Sequence, residues 1–284
     1  KDNSNTTKTA VYTKESEIVK SHYTATNLAY LSLVFMGGPS KVIVERVQTS
    51  DNISDALERL KNKRWYYLAV PGLGDGETDT VVEYIKEQRT QYHKTFKAVL
   101  PLAAADNEGI INFATDNIKI AAKTYTTAEF CCRIAGILAG LPLNRSATYY
   151  TLPEIESITE SETPDDDVDN GKLILINDGT KIKIARGVNS LTTATEDKGD
   201  DFKKIKIIEA VDMIRDDIRA TFEDEFVGKV ENSYDNKIVF IAAVNKYFKD
   251  LANRGVLYDK YDNKAEIDID ETREWLSKTR DVSS

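Results

Sequence analysis

TTAEFCCRIAGILAGLPLNRSATYY, residues 126–150, sets the frame into which the rest of this chain fits. Between Thr127 and Leu141 the apolar residues Ala128, Ile134, Ala135, Ile137, Leu138 and Leu141 leave Glu129 and Arg133 as the only charges, the make-up of a buried helix rather than an amphipathic one. Gly136 and Gly140 fall one turn apart on one face, where a missing side chain lets a strand or a second helix approach closely. Pro142 stops the helix. A phosphate-cradling loop is the functional alternative for such a block. No Gly-rich turn precedes a Lys-Ser or Lys-Thr pair anywhere in the chain, so core packing is preferred.

Upstream, residues Lys1–Thr24 are polar and without clear periodicity, which predicts an arm or frayed end with a short strand at Ala10–Thr13. Leu28, Leu31 and Phe35 recur at helical spacing over Asn27–Phe35, and Gly37-Gly38-Pro39 ends that element. A β-branched strand over Lys41–Val47 follows. The pattern then predicts a helix over Ser54–Lys61 capped near Asn52 or Ser54, a strand over Tyr66–Val70, a helix over Thr78–Gln91, and strands over Phe96–Leu100 and Ile110–Ala114. Strand–helix–strand alternation with short connections means parallel pairing with right-handed crossovers. The fold class is therefore α/β: a mixed, mainly parallel sheet with flanking helices, joined to a smaller α+β C-terminal domain.

Downstream, Pro153–Asn170 is acidic and rich in Ser and Thr, and it marks the expected boundary between domains over 1–152 and 153–284. Asp165, Asp167 and Asp169 alternate as in a calcium loop, but the sixth and twelfth positions are Asn170 and Ile176 rather than glycine and glutamate, which favours a solvated loop. Leu173–Ile176 and Lys181–Ala185 flank Asn177-Asp178-Gly179-Thr180, a hairpin signal. Helices are expected over Phe202–Phe226 and Asn236–Asn253, a short strand over Glu266–Asp270, and a last helix from Glu271 to Lys278.

The 284 residues carry 47 acidic and 38 basic side chains, a formal charge of -9 that disfavours a general nucleic-acid or anionic-membrane role. No apolar run reaches bilayer-spanning length, and KDNSNTTKTA, which starts without Met, has no apolar segment of a secretory signal. Cys131 and Cys132 are adjacent in the apolar helix and point in different directions. They read as packing residues of a chain made in a reducing compartment, not as a disulfide or zinc site. His22 and His93 are far apart in sequence and read as ordinary surface or interface residues. Two strand-end loops, Gly72–Asp79 and Asp106-Asn107-Glu108, are where an open α/β sheet would bind a nucleotide or small ligand. The first matches neither the dinucleotide fingerprint nor the P-loop, so a turn is favoured. The acidic pair shows no sign of convergence, and no catalytic residue, cofactor or metal is assigned.

AGILAGLPLNRSATYY, Ala135–Tyr150, resembles the AG-x-x-AG-x-P-x-x-x-S-x-T motif of contractile tail sheath proteins, most of all the small sheaths of phages, defective prophages and phage-tail-like bacteriocins of Gram-positive bacteria. Two more stretches resemble the same family: N-x-x-Y-L-x-x-x-F-x-GGPSKVIVERV, Asn27–Val47, and the pair LTTATEDKGDDFKKIKIIEAVDMI from Leu191 and FVGKVENSYDNKIVFIAAVNKYFKDLANRGVLY ending at Tyr258. The resemblance implies a virion or phage-tail-like particle subunit, assembled in the bacterial cytoplasm. Its partners would be further copies in hexameric rings and a helical polymer, a tail tube protein, a baseplate and a tail terminator. Neither nucleic acid nor direct membrane insertion belongs to that role. Residues 1–152 would be the α/β sheath domain with the remnant of a polar N-terminal arm, and 153–284 the C-terminal domain facing the tube. The terminal arms that add strands to neighbouring subunits in full-length members are expected to be lacking. Lys203, Lys204, Lys206, Lys246, Lys249 and Arg254 are the expected tube or sheath–sheath contacts. The competing readings are an α/β ligand-binding protein using the loops at 72–79 and 106–108, and a non-contracting tail or capsid component.

Overall fold

In the computed structural model, which describes residues 1–74, 76–196 and 198–280, the polar start of the chain is tied down. Strand β1 (Thr9–Tyr12) pairs antiparallel with β2 (Val42–Glu45), with Thr9 opposite Glu45 and Tyr12 opposite Val42. Between them runs helix α1 (Ala25–Phe35), capped by Thr24, whose side chain accepts from the Asn27 N–H. The expected strand is present, but the arm or frayed end over 1–24 is corrected. Asp2, only 6% exposed, sits 3.1 Å from the Arg46 guanidinium, and its other carboxylate oxygen accepts from Asn27 Nδ2 at 2.7 Å and from the Thr24 N–H. A charge buried that deeply has to be held by its partners, and these partners fix the N-terminus to α1 and β2.

The α/β core follows in the expected order: α2 (Ile53–Leu60), β3 (Tyr67–Ala69), α3 (Glu77–Thr90), β4 (Lys97–Pro101) and β5 (Ile110–Phe113). The Asn52 side chain caps α2 by accepting from the Ser54 N–H. Strands β3, β4 and β5 are parallel, with Ala69 opposite Val99 and Val99 opposite Ile111. Because successive strand residues face opposite ways, Ala98 and Leu100 pack with Ile53, Leu57, Val81 and Ile85 of α2 and α3, whereas Val99 packs on the other side. That other side is covered by α4 (Thr127–Gly140), reached through the hairpin of β6 (Asp116–Ile120) and β7 (Lys123–Tyr125). Thr126 and Glu129 form a reciprocal capping box at its start. From α4, Phe130, Ile134 and Ile137 enter the core. The glycine reading holds: α4 crosses α1 so closely that a Cβ on Gly136 would lie 2.2 Å from the Val34 carbonyl oxygen.

The acidic stretch is not a loop throughout. Strand β8 (Ser157–Thr159) pairs with β6, and α5 (Pro164–Asp169) starts on a proline, with Asp165, Asp166 and Asp167 in the first turn, where carboxylates favour the helix dipole. Strand β9 (Lys172–Leu173) then joins the parallel sheet beside β5, giving the order β3-β4-β5-β9. The expected hairpin is present as β10 (Leu175–Asn177) and β11 (Ile182–Ile184). Leu173, Leu175, Ile182 and Ile184 share the core of α4. The division consequently falls not at 152/153 but between Val211 and Asp212, inside the next helix, α6 (Ile205–Glu225). The second unit is α-rich, continuing from α6 into α7 (Tyr234–Asn253) and α8 (Ile269–Arg280). No strand occurs at 266–270: in place of a neighbouring strand, the Asn245 side chain donates to the Ala265 carbonyl and accepts from its N–H, and α8 begins at Ile269.

Candidate functional site

The strand-end loops prove to be parts of the scaffold. Asp106, at φ 46°, accepts from the N–H groups of Thr192 and Thr193 at 2.7 and 2.9 Å. These bonds hold its carboxyl well below the usual carboxylate range. Glu108 is buried, 3.0 Å from Lys198 Nζ and 3.5 Å from Arg89 Nη2. Burial pushes its carboxyl up, and the bond from Lys198 with the nearby Arg89 charge outweighs that, so the net shift is downward. Both carboxylates are thus engaged in tying neighbouring segments together, and they are not aimed jointly at a reacting atom. In the other loop Gly72 and Gly76 take positive φ, and the Glu77 carboxylate accepts from the Gly74 N–H at 2.8 Å. Asp75, part of the sequence reading of this loop, lies outside the described residues.

Cys131 and Cys132 are free thiols buried on α4, and Cys131 Sγ lies 3.3 Å from the Thr127 carbonyl. Burial pushes Cys131 up, and burial with the nearby Glu129 charge pushes Cys132 to about 12. Thiolate is the reactive form. Neither cysteine should react with an aromatic disulfide reagent at pH 8 in the native protein, and both should react in denaturant. Fast native labelling would contradict this packing.

The six basic residues divide between the two units. In the first, Lys203 pairs with Asp200 at 2.9 Å, Lys204 with Asp201 at 2.7 Å, and Lys206 donates to the Asn144 carbonyl at 3.1 Å. In the second, Lys246 and Lys249 are exposed on α7 and Arg254 is exposed just beyond its end. The first three are engaged locally, and the latter three reach solvent.

The sequence reading missed an apolar groove in the second unit. Phe222, Phe226 and Phe240 form one aromatic cluster, with centroids 5.0–6.1 Å apart. With Ile218, Val230 and Ile267 they line a groove of about 740 Å³. Phe222 remains 46% exposed. The signal was present in the Phe202–Phe226 helix, where Ile218, Phe222 and Phe226 recur at four-residue steps.

The chain thus joins an α/β first unit to a helical second unit that leaves an apolar surface open. Comparison with known proteins gives the class. Residues 47–190 match the phage tail sheath protein central domain, and residues 197–281 match the phage tail sheath C-terminal domain. The tail sheath protein of Clostridium phage phiCD119 is 36% identical over 262 residues, covering 89% of this chain and 73% of that protein. The chain belongs to the phage tail sheath protein family. Among solved structures, the sheath tail protein from Desulfitobacterium hafniense has a TM-score of 0.66 at 20% identity, over 75% of this chain and 56% of that one. The helical sheath of the anti-feeding prophage in its contracted state has a TM-score of 0.67 at 13% identity, over 91% of this chain and 75% of that one. The chain thus spans little more than half the length of the Desulfitobacterium protein.

Proposed function

We propose that this chain is the working body of a contractile sheath subunit, polymerising as stacked hexameric rings around a tail tube and shortening to drive the tube through a target cell envelope. The observation that carries the reading beyond family membership is the aromatic groove of the second unit, bordered by exposed Glu231 and Lys237. Apolar surface left open on one chain is surface that another chain covers. The second unit faces the tube and carries subunit contacts. Energy resides in a metastable extended polymer, so the loops at 72–79 and 106–108 need hold no nucleotide. Tail tube, baseplate and tail terminator are the partners, and the site of action is a virion or phage-tail-like particle put together in the bacterial cytoplasm.

The test is sheath assembly on tubes of the cognate tube protein, followed by sedimentation and negative-stain electron microscopy with the full-length polypeptide. Tube-bound helical polymer is the expected result, and absence of any polymer removes the proposal. Charge reversal of the outward basic residues, as Lys246→Glu with Lys249→Glu, should lower the tube-bound fraction at least tenfold with an unchanged melting temperature. These are exposed positions whose substitution alters stability by only about 0.5 kcal/mol. Undiminished assembly would take both residues out of the interface.

A further inference from the structure

Two sheets of the first unit end in strands whose outward edges open on one cavity. Strand β2 lies at the edge of a two-stranded sheet and β3 at the edge of the four-stranded one. The Arg46 N–H donates to the Lys8 carbonyl at 2.7 Å, so the main-chain groups of Arg46, Val44 and Val42 face β1. Those of Ile43, Glu45 and Val47 face the opposite way, by the alternation of an antiparallel ladder. In the other sheet the Tyr66 carbonyl accepts from the Lys97 N–H at 2.9 Å. The same alternation turns the main-chain groups of Ala69 outward. A cavity of about 480 Å³ is lined without interruption by residues 39–47 and by residues 64–71. Its walls are apolar on both sides of the slot: Leu31, Val34 and Leu138 from α1 and α4, and Ile53 and Leu57 from α2.

We infer that this slot holds one more strand, parallel to β2, formed by polypeptide immediately preceding Lys1. One main-chain bond of that ladder is already made. The Asp2 N–H donates to the outward Val47 carbonyl at 2.8 Å, and both Lys1 and Asp2 line the cavity. From Asp2 the chain rounds the end of β2, where the Thr49 N–H donates to the Asn3 side chain, and returns as β1 antiparallel to β2. A segment leading into Asp2 through the slot therefore runs in the direction of β2. The relatives leave room for it, since the chain spans 73% of the Clostridium phage protein and 56% of the Desulfitobacterium one. Helices cover both faces of the slot, so the strand has to be a continuous β-branched and aliphatic run rather than an alternating one. This excludes Glu266–Asp270 as its occupant, because three carboxylates would meet apolar walls. With the strand in place the two sheets become one, and the residues before Lys1 act as the central strand of the α/β body rather than as a mobile arm.

The experiment is amide hydrogen exchange on two chains, the present one and the same chain extended upstream by about 15 of its natural residues, enough for a strand of about 5–6. Exchange at Ile43, Glu45 and Ala69 should slow at least 100-fold in the longer chain at every protein concentration. Equal exchange in both chains would overturn the inference. Protection that appears only as concentration rises would overturn it too, assigning the slot to a strand from another copy. Neither result bears on whether the chain sheathes a tube, which the assembly assay decides separately.

Discussion

Replacing Gly136 with alanine is expected to destabilise the protein by about 3 kcal/mol or more, the upper part of the range for forcing an extra group into a packed core. The cause is main chain against main chain. A Cβ there would lie 2.2 Å from the Val34 carbonyl oxygen, and one on Gly37 would lie 2.0 Å from the Gly136 carbonyl carbon. One on Gly140 would lie 2.0 Å from the Gly37 carbonyl oxygen. No rotamer change can relieve such a clash, because the atoms met are main-chain atoms of α1, of the turn that follows it and of α4. α1 would have to move off α4, opening the core shared by Leu33, Cys131 and Ile134. Urea unfolding should show a midpoint shift large enough to leave a marginal protein. Gly199→Ala, where a Cβ meets nothing within 4 Å, should change stability by less than about 0.5 kcal/mol. Equal midpoints for the two variants would refute the close crossing.

Asp2→Ala is expected to cost about 3–5 kcal/mol, the range for removing one partner of a buried ion pair. It leaves Arg46, 5% exposed, with its guanidinium between the His22 and Thr7 carbonyls and over the Tyr23 ring, and without its carboxylate. The same carboxylate gives a pH signature. Burial pushes the Asp2 carboxyl up, but hydrogen bonds from Asn27, Ser4 and Thr24 outweigh it and bring the group well below the usual range. A folded-state pKa depressed below the unfolded value of about 3.9 contributes stability that is complete above that value and lost as pH falls toward the folded one. The wild type should therefore lose stability steeply below about pH 4. In Asp2→Ala that acid limb should be shallower, and an unchanged slope would show that Asp2 is not the titrating group.

Both effects bear on how far the fold can be read from residues alone. The Thr126 capping box, the apolar run of α4 and the spacing of Gly136 and Gly140 follow from local chemistry, and the structure retains each of them. The parallel order β3-β4-β5 was also legible, because short connections between alternating strands and helices leave few topologies. The β6–β7 hairpin was not. Its two-residue turn is Ala121-Ala122, with Ala121 at φ 51°, so the glycine or asparagine that normally announces such a turn is absent. The short β9 was equally hidden, because two residues carry no period, and its pairing with β5 ties chain beyond residue 152 to the first unit, which extends to Val211.

The basic residues show a similar limit. Lys203, Lys204 and Lys206 look alike in sequence to Lys246 and Lys249, but the first three find Asp200, Asp201 and the Asn144 carbonyl within reach. Distance to a partner is not a property of a local window. Sequence alone determined the family, the α/β class, the buried glycine-bearing helix and the absence of a phosphate-loop motif, because each rests on the identity and spacing of nearby residues. Tertiary structure decided that Asp2 is buried, that the apolar stripe of α6 outruns its cover at Phe222, and that β2 and β3 turn open edges toward one slot. Each of those depends on which segments far apart in the chain come to lie side by side, and burial, pairing and exposure exist only between such segments.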